Sequence, residues 1–457
     1  FVRARGAVRW SSMASVMLGL VLTLGPSTWH NHQAGAGFVP VSLGGGINLY
    51  RGNNPHFVDS AVHPFRLPAE RDGLLRKSWL IASMDNDRHL SATEADRYWV
   101  GKTVMTWFDA PFRAVGITLR KLTQVLSPTE IGDHMDLNEM ADRNRVLGGI
   151  PPLMAPIGVL GLLGLLTTRR QRDLGVAAVL VTSMLSVALF FVVSRYRAPL
   201  VPLLAIYAGG GLRWLWMQSG ARSRIPLVLG LGTVAATAIS VSLPATHAAL
   251  PWNWLAGEAQ DPGPCAVDQH VRFAPAVEEQ FSMGIFAMNH GRFADAEKAM
   301  WAVLHLEPRH TAAGVNLSWL LLEKGATKQA AGVARKVVQV DPCDDKAWSN
   351  MATAYMRMGN AKEGYNAAVQ AAKIDPYNPG YDSMVGEVLM ARGAKAEAKK
   401  RFERALRWQP DLWQAQARLG RMALQEGNYE DASKLLQAAV LAQPGRPELI
   451  GLLGLSE

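Results

Sequence analysis

Cysteine is nearly absent: Cys265 and Cys343 are the only two in 457 residues. That excludes a disulfide-dense miniprotein and any metal site built on four thiolates. Charge is also scarce, 19% of residues against roughly 25% in ordinary soluble domains. The acidic sign is the scarcer one before residue 250, with 14 Asp and Glu against 24 Lys and Arg. After that point the two signs balance, 24 against 23. The formal charge of +9 therefore belongs to the apolar first part, where basic residues set membrane topology. A nucleic-acid partner is not expected. No P-loop, dinucleotide fingerprint or nucleophile–base pair is present, so no cofactor is expected. His30 and His32 stand in H-x-H spacing, but no third ligand is evident and no metal is expected.

What is abundant is apolar sequence, 49% of the chain. Five stretches are apolar enough to cross about 30 Å of hydrocarbon: 10–29, 150–167, 174–194, 198–216 and 226–243. A secretory signal is the rival reading of the first, because Arg3, Arg5 and Arg9 precede a short apolar core. Arg169, Arg170 and Arg172, then Arg213, Arg222 and Arg224, fall on alternate ends of successive spans. The positive-inside rule makes those ends cytoplasmic. Residues 30–149 and everything after about 245 are then exported, into the periplasm across a bacterial inner membrane. The domains expected are a first span at 1–29, an exported loop at 30–149, four spans over 150–245, a linker at 246–276 and a second domain at 277–457. The chain begins at Phe1 without an initiator Met, which leads us to expect a missing N-terminal part.

The exported loop is far longer than a connector requires. Its run Gly44-Gly45-Gly46-Ile47-Asn48-Leu49-Tyr50-Arg51-Gly52-Asn53-Asn54-Pro55 is turn-forming in composition. Two readings fit: a surface turn, or a place where backbone approaches a ligand. Ser91 and Glu94 form a capping box that starts a helix to about Asp109. Pro111 opens another, to about Val125, that carries Phe112, Val115, Ile117, Leu119 and Leu122 beside Arg113, Arg120 and Lys121. It suits an amphipathic helix lying on the outer membrane surface. Arg195 and Arg197, in the tight link between the third and fourth spans, either snorkel to headgroups or hold a lipid-linked phosphate.

The last 180 residues repeat. Pro308, Pro342, Pro376, Pro410 and Pro444 are spaced by 34, as are Gly291, Gly325, Gly359, Gly393 and Gly427. A 34-residue period marks tetratricopeptide repeats, each a pair of antiparallel helices. Five fit, at 277–310, 311–344, 345–378, 379–412 and 413–446, and 447–457 reads as a partial cap. Small residues recur where the paired helices must approach: Gly284, Ser318, Ala352, Gly386 and Gly420, then Ala296, Ala330, Gly364, Ala398 and Ala432. The fold class is therefore all-α, polytopic transmembrane helices followed by an α-solenoid. In register, the first helices present Trp319, Ser349, Thr353, Arg357, Glu387 and Arg421 to the concave groove, which would hold a protein or peptide. A spacer or self-association arm is the alternative. Cys265 and Cys343 would share the oxidising compartment, and a disulfide between them fits that placement.

Three blocks, GGGINLYRGNNP, RYWVGKTVMTWFDAPFRAVGITLRKLTQVLSPTEI and FFVVSRYRAPLVPLLAIYAGGGL, resemble the C-terminal half of bacterial family-39-like glycosyltransferases. These are relatives of protein O-mannosyltransferases and of the aminoarabinose transferase acting on lipid A. The resemblance covers about residues 40–215. It implies a GT-C membrane fold and inverting transfer of a sugar from a polyprenyl-phosphate donor at the exported face, with membrane lipid as a further partner. It also implies a catalytic carboxylate in an exported loop upstream of residue 1. Carried over onto this chain, the phosphate- and acceptor-side residues are Asn48, Tyr50, Arg51, Asn53, Asn54, Arg195 and Arg197. Two other readings remain open: a non-enzymatic membrane-anchored repeat scaffold of an envelope complex, and an O-antigen-ligase-like enzyme.

Overall fold

A computed structural model describes residues 10–33, 44–56, 71–126, 154–167, 174–190, 199–219 and 273–456, with isolated positions such as Arg197. Most of the expected linker at 246–276, Arg195, Cys265 and most of the span at 226–243 lie outside the described residues. Every element described is a helix. The chain divides into two compact units. The first takes 1–63 and 90–261; the second takes 64–89 and 262–457.

The first unit contains α1 (Trp10–Gln33) and α2 (Gly45–Asn53). The segment 71–85, α3, belongs to the second unit. The first unit resumes with α4 (Ala92–Asp109), α5 (Pro111–Leu126), α6 (Met154–Thr167), α7 (Leu174–Leu189) and α8 (Leu200–Ser219). Ser91 caps α4 and Glu94 answers it, completing the capping box. Among the described residues one helix, α8, is long and apolar enough to cross a membrane. Pro156–Thr167 and Val176–Leu189 are apolar but shorter. The helices α6 and α8 cross backbone to backbone. A Cβ on Gly164 would stand 1.8 Å from the Tyr207 carbonyl oxygen, and one on Gly211 would stand 2.5 Å from that of Leu160. Only glycine permits that approach.

One expectation is corrected here. The Gly/Asn-rich run is not a turn but the helix α2, with Gly44 at φ 99° as its N-cap. Local propensity is poor, so tertiary packing decides. Gly46 lies against the Asp96 carbonyl, where a Cβ would be at 2.1 Å. Its amide also donates to Asp96 Oδ1 at 2.7 Å, a carboxylate at the positive end of the helix. On α5, Arg120 and Lys121 are buried together with Ile117 and Val125, whereas Phe112 (74% exposed) and Val115 (51%) face outward.

The second unit is a solenoid of helix pairs: α9 (Pro275–Asn289) with α10 (Phe293–Leu306), α11 (Thr311–Glu323) with α12 (Thr327–Val340), α13 (Asp345–Arg357) with α14 (Ala361–Ile374), α15 (Pro379–Ala391) with α16 (Lys395–Trp408), and α17 (Trp413–Gln425) with α18 (Tyr429–Ala442). A final helix, α19 (Pro447–Gly454), covers the end. The five spaced glycines take φ between 70° and 84° in the turn inside each pair, a conformation in which a Cβ is strained. The small positions work as the spacing demands. A Cβ on Gly386 would meet the Phe402 ring at 2.7 Å, and one on Gly420 would meet Leu436 at 2.8 Å. Phe402 is fully buried against Val385, Ala398 and Ala405.

Candidate functional site

Two places gather the residues that sequence singled out. In the first unit, α2, α5 and the C-terminal end of α7 enclose a polar cluster. The Asn53 amide donates to the Leu49 carbonyl at 2.8 Å and to the Leu189 carbonyl at 2.6 Å. Lys121 Nζ donates to Asn53 Oδ1 at 3.0 Å and to the Phe190 carbonyl at 2.6 Å. These bonds satisfy carbonyls at the end of α7 that helix geometry leaves open. Gly52 makes the approach possible, since a Cβ there would lie 1.8 Å from the Phe190 oxygen. Lys121 is fully buried, and burial lowers its pKa from 10.5 to about 7.

Around this cluster Arg197, 4% exposed, donates to the Gln124 carbonyl at 3.1 Å. Asn54, also buried, donates to the Arg51 carbonyl and accepts the His56 amide. Arg51 reaches Asn48 at 3.5 Å, and Tyr50 packs on Trp99 with ring centroids 5.1 Å apart. Arg113 donates to the Pro55 carbonyl at 2.8 Å. The structure thus brings Asn53, Asn54 and Arg197 into one buried neighbourhood. Lys121 and Gln124 join it and were not anticipated as site residues. Their signal was a charged stripe on a helix whose other face was equally apolar, and nothing in the residue pattern decides which face turns inward. Among the described residues no group of three His, Cys, Asp or Glu could hold a metal.

In the second unit the six expected groove residues divide. Arg421 is exposed; Ser349 and Thr353 are half-buried, with Thr353 donating to the Ser349 carbonyl. The other three hold the solenoid together. Arg357 donates back to the Leu322 carbonyl of the preceding repeat. Glu387 accepts from Arg418 of the following one at 2.5 Å. Trp319 meets Phe293 edge-on at 5.7 Å and packs on the core. Tyr381 donates to Asp345 at 2.6 Å, a further tie between repeats, and burial raises its pKa.

The segment 71–89 straps the same unit. Lys77 pairs with Asp375 at 2.5 Å, the two side chains 12% and 15% exposed. Tyr377 donates to Asp85 at 2.7 Å. Arg407 pairs with Asp87 at 3.0 Å, and the His89 ring lies between Trp79 (5.7 Å) and Trp408 (5.3 Å). The partners Asp375, Tyr377, Arg407 and Trp408 all sit where a second helix ends and the next repeat begins, so the strap runs along that edge. Nothing in the 34-residue period announces it. Cys343 is disulfide-bonded, and the other cysteine of the chain is Cys265.

Tetratricopeptide-repeat family models match residues 282–347 and 389–455. Among solved structures, MamA from Desulfovibrio magneticus RS-1 is similar at 11% identity, covering 38% of this chain and 99% of that one, with a TM-score of 0.34. A protein titled for the functional characterisation of Pseudomonas aeruginosa pilF is similar at 17%, covering 39% and 81%, TM-score 0.35. A thermophilic TPR protein of Thermus thermophilus is similar at 17%, covering 39% and 98%, TM-score 0.35. No curated protein matches. Neither family match reaches residues 40–215, which carry the glycosyltransferase resemblance. The C-terminal part of the chain is a tetratricopeptide-repeat solenoid, a fold whose general work is protein–protein interaction.

Proposed function

We propose that the chain is a membrane-anchored scaffold whose repeat unit holds a protein or peptide partner on the exported side of a bacterial inner membrane. The observation that carries this reading is the solenoid of five helix pairs with exposed or half-exposed polar residues on its first-helix face. Arrays of this kind bury a continuous core between neighbours and offer an extended concave surface.

The anchor rests on α8, on the glycine crossing of α6 with α8, and on apolar side chains that the helices turn outward, Ile206 and Trp216 among them. Close crossing through small residues suits helices packed in lipid. Topology is supported by the strap. Residues 71–89 and the repeats belong to one compact unit, so both lie on the same side of any membrane. An even number of crossings between them follows, as four spans at 150–243 would give. The disulfide at Cys343 suits an oxidising compartment.

Sugar transfer rests on the resemblance of residues 40–215. Asn53 and Arg197 are buried and bonded to carbonyls of other segments, which ties those segments together, and Asn54 is buried with its amide on the Arg51 carbonyl of its own helix. The geometry therefore supports the scaffold better than the transferase.

Photo-crosslinking in cells tests the proposal. A photoreactive residue in place of Thr353 or Arg421 gives a discrete adduct, whereas one in place of the outward Glu403 gives none. Equal labelling from all three positions, or none from any, overturns the scaffold reading.

A further inference from the structure

Between α10 and α12, over the start of α11, lies a cavity of about 790 Å³, within the range of ligand sites. It opens at the second repeat for a reason visible in the register. Position four of the five repeats is Gln280, Gly314, Trp348, Asp382 and Gln416. Position twenty-two is Lys298, Gly332, Asn366, Lys400 and Lys434. The second repeat alone has glycine at both, and both glycines line the cavity.

The third repeat shows what belongs there. Trp348 packs on the core and donates its indole N–H to the Pro342 carbonyl at 2.7 Å. The Gln416 amide makes the equivalent bond to the Pro410 carbonyl. In the second repeat the corresponding proline is Pro308, which lines the cavity, and residue 314 contributes no side chain. The chain cannot easily fill the space itself, because a Cβ on Gly314 would meet Val337 Cγ2, a stiff β-branched side chain. The charged side chains of the lining have one sign: Arg309 and Lys336 contribute to it, and no Asp or Glu does. Trp301, 44% exposed, adds an aromatic face to the same wall.

We infer that this cavity is a docking pocket for an acidic peptide segment that inserts one large aromatic side chain where Trp348 sits in the next repeat. The inference rests on the scaffold reading and gives it a second contact surface, away from the first-helix groove. Large aromatic anchors in pockets carry most of the affinity at such interfaces, and charge complementarity guides the flanks.

The test uses the full chain in detergent and a fluorescein-labelled Asp-Glu-Trp-Glu-Asp peptide, followed by anisotropy. Binding is saturable, and replacing the peptide's Trp by Ala abolishes it. Gly332→Phe fills the cavity from a helical position where a new Cβ meets nothing within 4 Å, so the variant folds and binds at least about tenfold more weakly. Lys336→Glu weakens binding by about the same factor through repulsion. Gly332→Ala binds as the wild type does. Absence of saturable binding, or unchanged binding by Gly332→Phe, overturns the pocket. If crosslinks from positions 353 and 421 persist in that case, the scaffold reading survives; if they vanish too, both fall.

Discussion

In the repeat unit a contact at one junction has counterparts at the others. In the first unit the contacts that matter occur once. Gly386 on Phe402 and Gly420 on Leu436 are the same event in successive repeats, and the stability of such arrays is close to a sum over units and neighbours. The tie between Asn53, Lys121 and the end of α7 has no second copy among the described residues. Periodic packing spreads risk, and a single buried polar tie concentrates it.

The largest effect expected of any substitution falls on that tie. Gly52→Val drives a side chain into the Phe190 carbonyl and detaches α2 at a cost of about 3 kcal/mol or more. Loss of hydrogen-exchange protection over 45–53 would register it, and full protection would refute the close approach.

Next comes Lys121→Met, which keeps the bulk but removes two hydrogen bonds, costing about 2 kcal/mol at about pH 10, where burial no longer penalises the amine. This residue also sets a pH dependence. Its pKa is about 7 in the fold against 10.5 unperturbed, so between those values the unfolded chain binds the extra proton. Stability of the first unit therefore rises with pH from about 7 to about 10, by up to roughly 1 kcal/mol per unit. Below 7 the full penalty of the buried charge is present. Unfolding in detergent across this range should show the slope in the wild type and lose it in Lys121→Met.

Smaller is the Lys77–Asp375 pair. Its low exposure places it between surface and buried ion pairs, so a double-mutant cycle with Lys77→Met and Asp375→Asn yields a coupling of about 1–2 kcal/mol. Zero coupling would reduce the strap to its apolar contacts.

The smallest effect is the sharpest test of modularity. Ala at Gly325, Gly359 or Gly393, all near φ 80°, costs about 1 kcal/mol each and by nearly equal amounts. Unequal costs in thermal melts would show that the repeats are not interchangeable.

The same contrast explains what could be read in advance. The 34-residue period located every helix pair, because each repeat is a local unit whose glycine, proline and small positions answer only to their neighbours. The capping box at Ser91 is likewise local, and it forms. The helix α2 was hidden because its residues favour a turn, and it forms only where Asp96 and Phe190 receive it. The facing of α5 was hidden because either side of that helix could be buried. Arg120 and Lys121 lie inward beside Ile117 and Val125, where Asn53 and the Phe190 carbonyl receive Lys121. The six expected groove residues lie on first helices, yet register does not distinguish an exposed Arg421 from an Arg357 already bonded to Leu322.

The strap also has a consequence for competition. Because residues 71–89 are covalently part of the chain, they meet the edge of the repeats at an effective concentration on the order of millimolar. Ion pairs and ring contacts too weak to hold a free peptide are then enough to keep the segment seated. An outside ligand for that edge, unless it binds more tightly, must itself approach millimolar levels before it displaces what the chain already supplies.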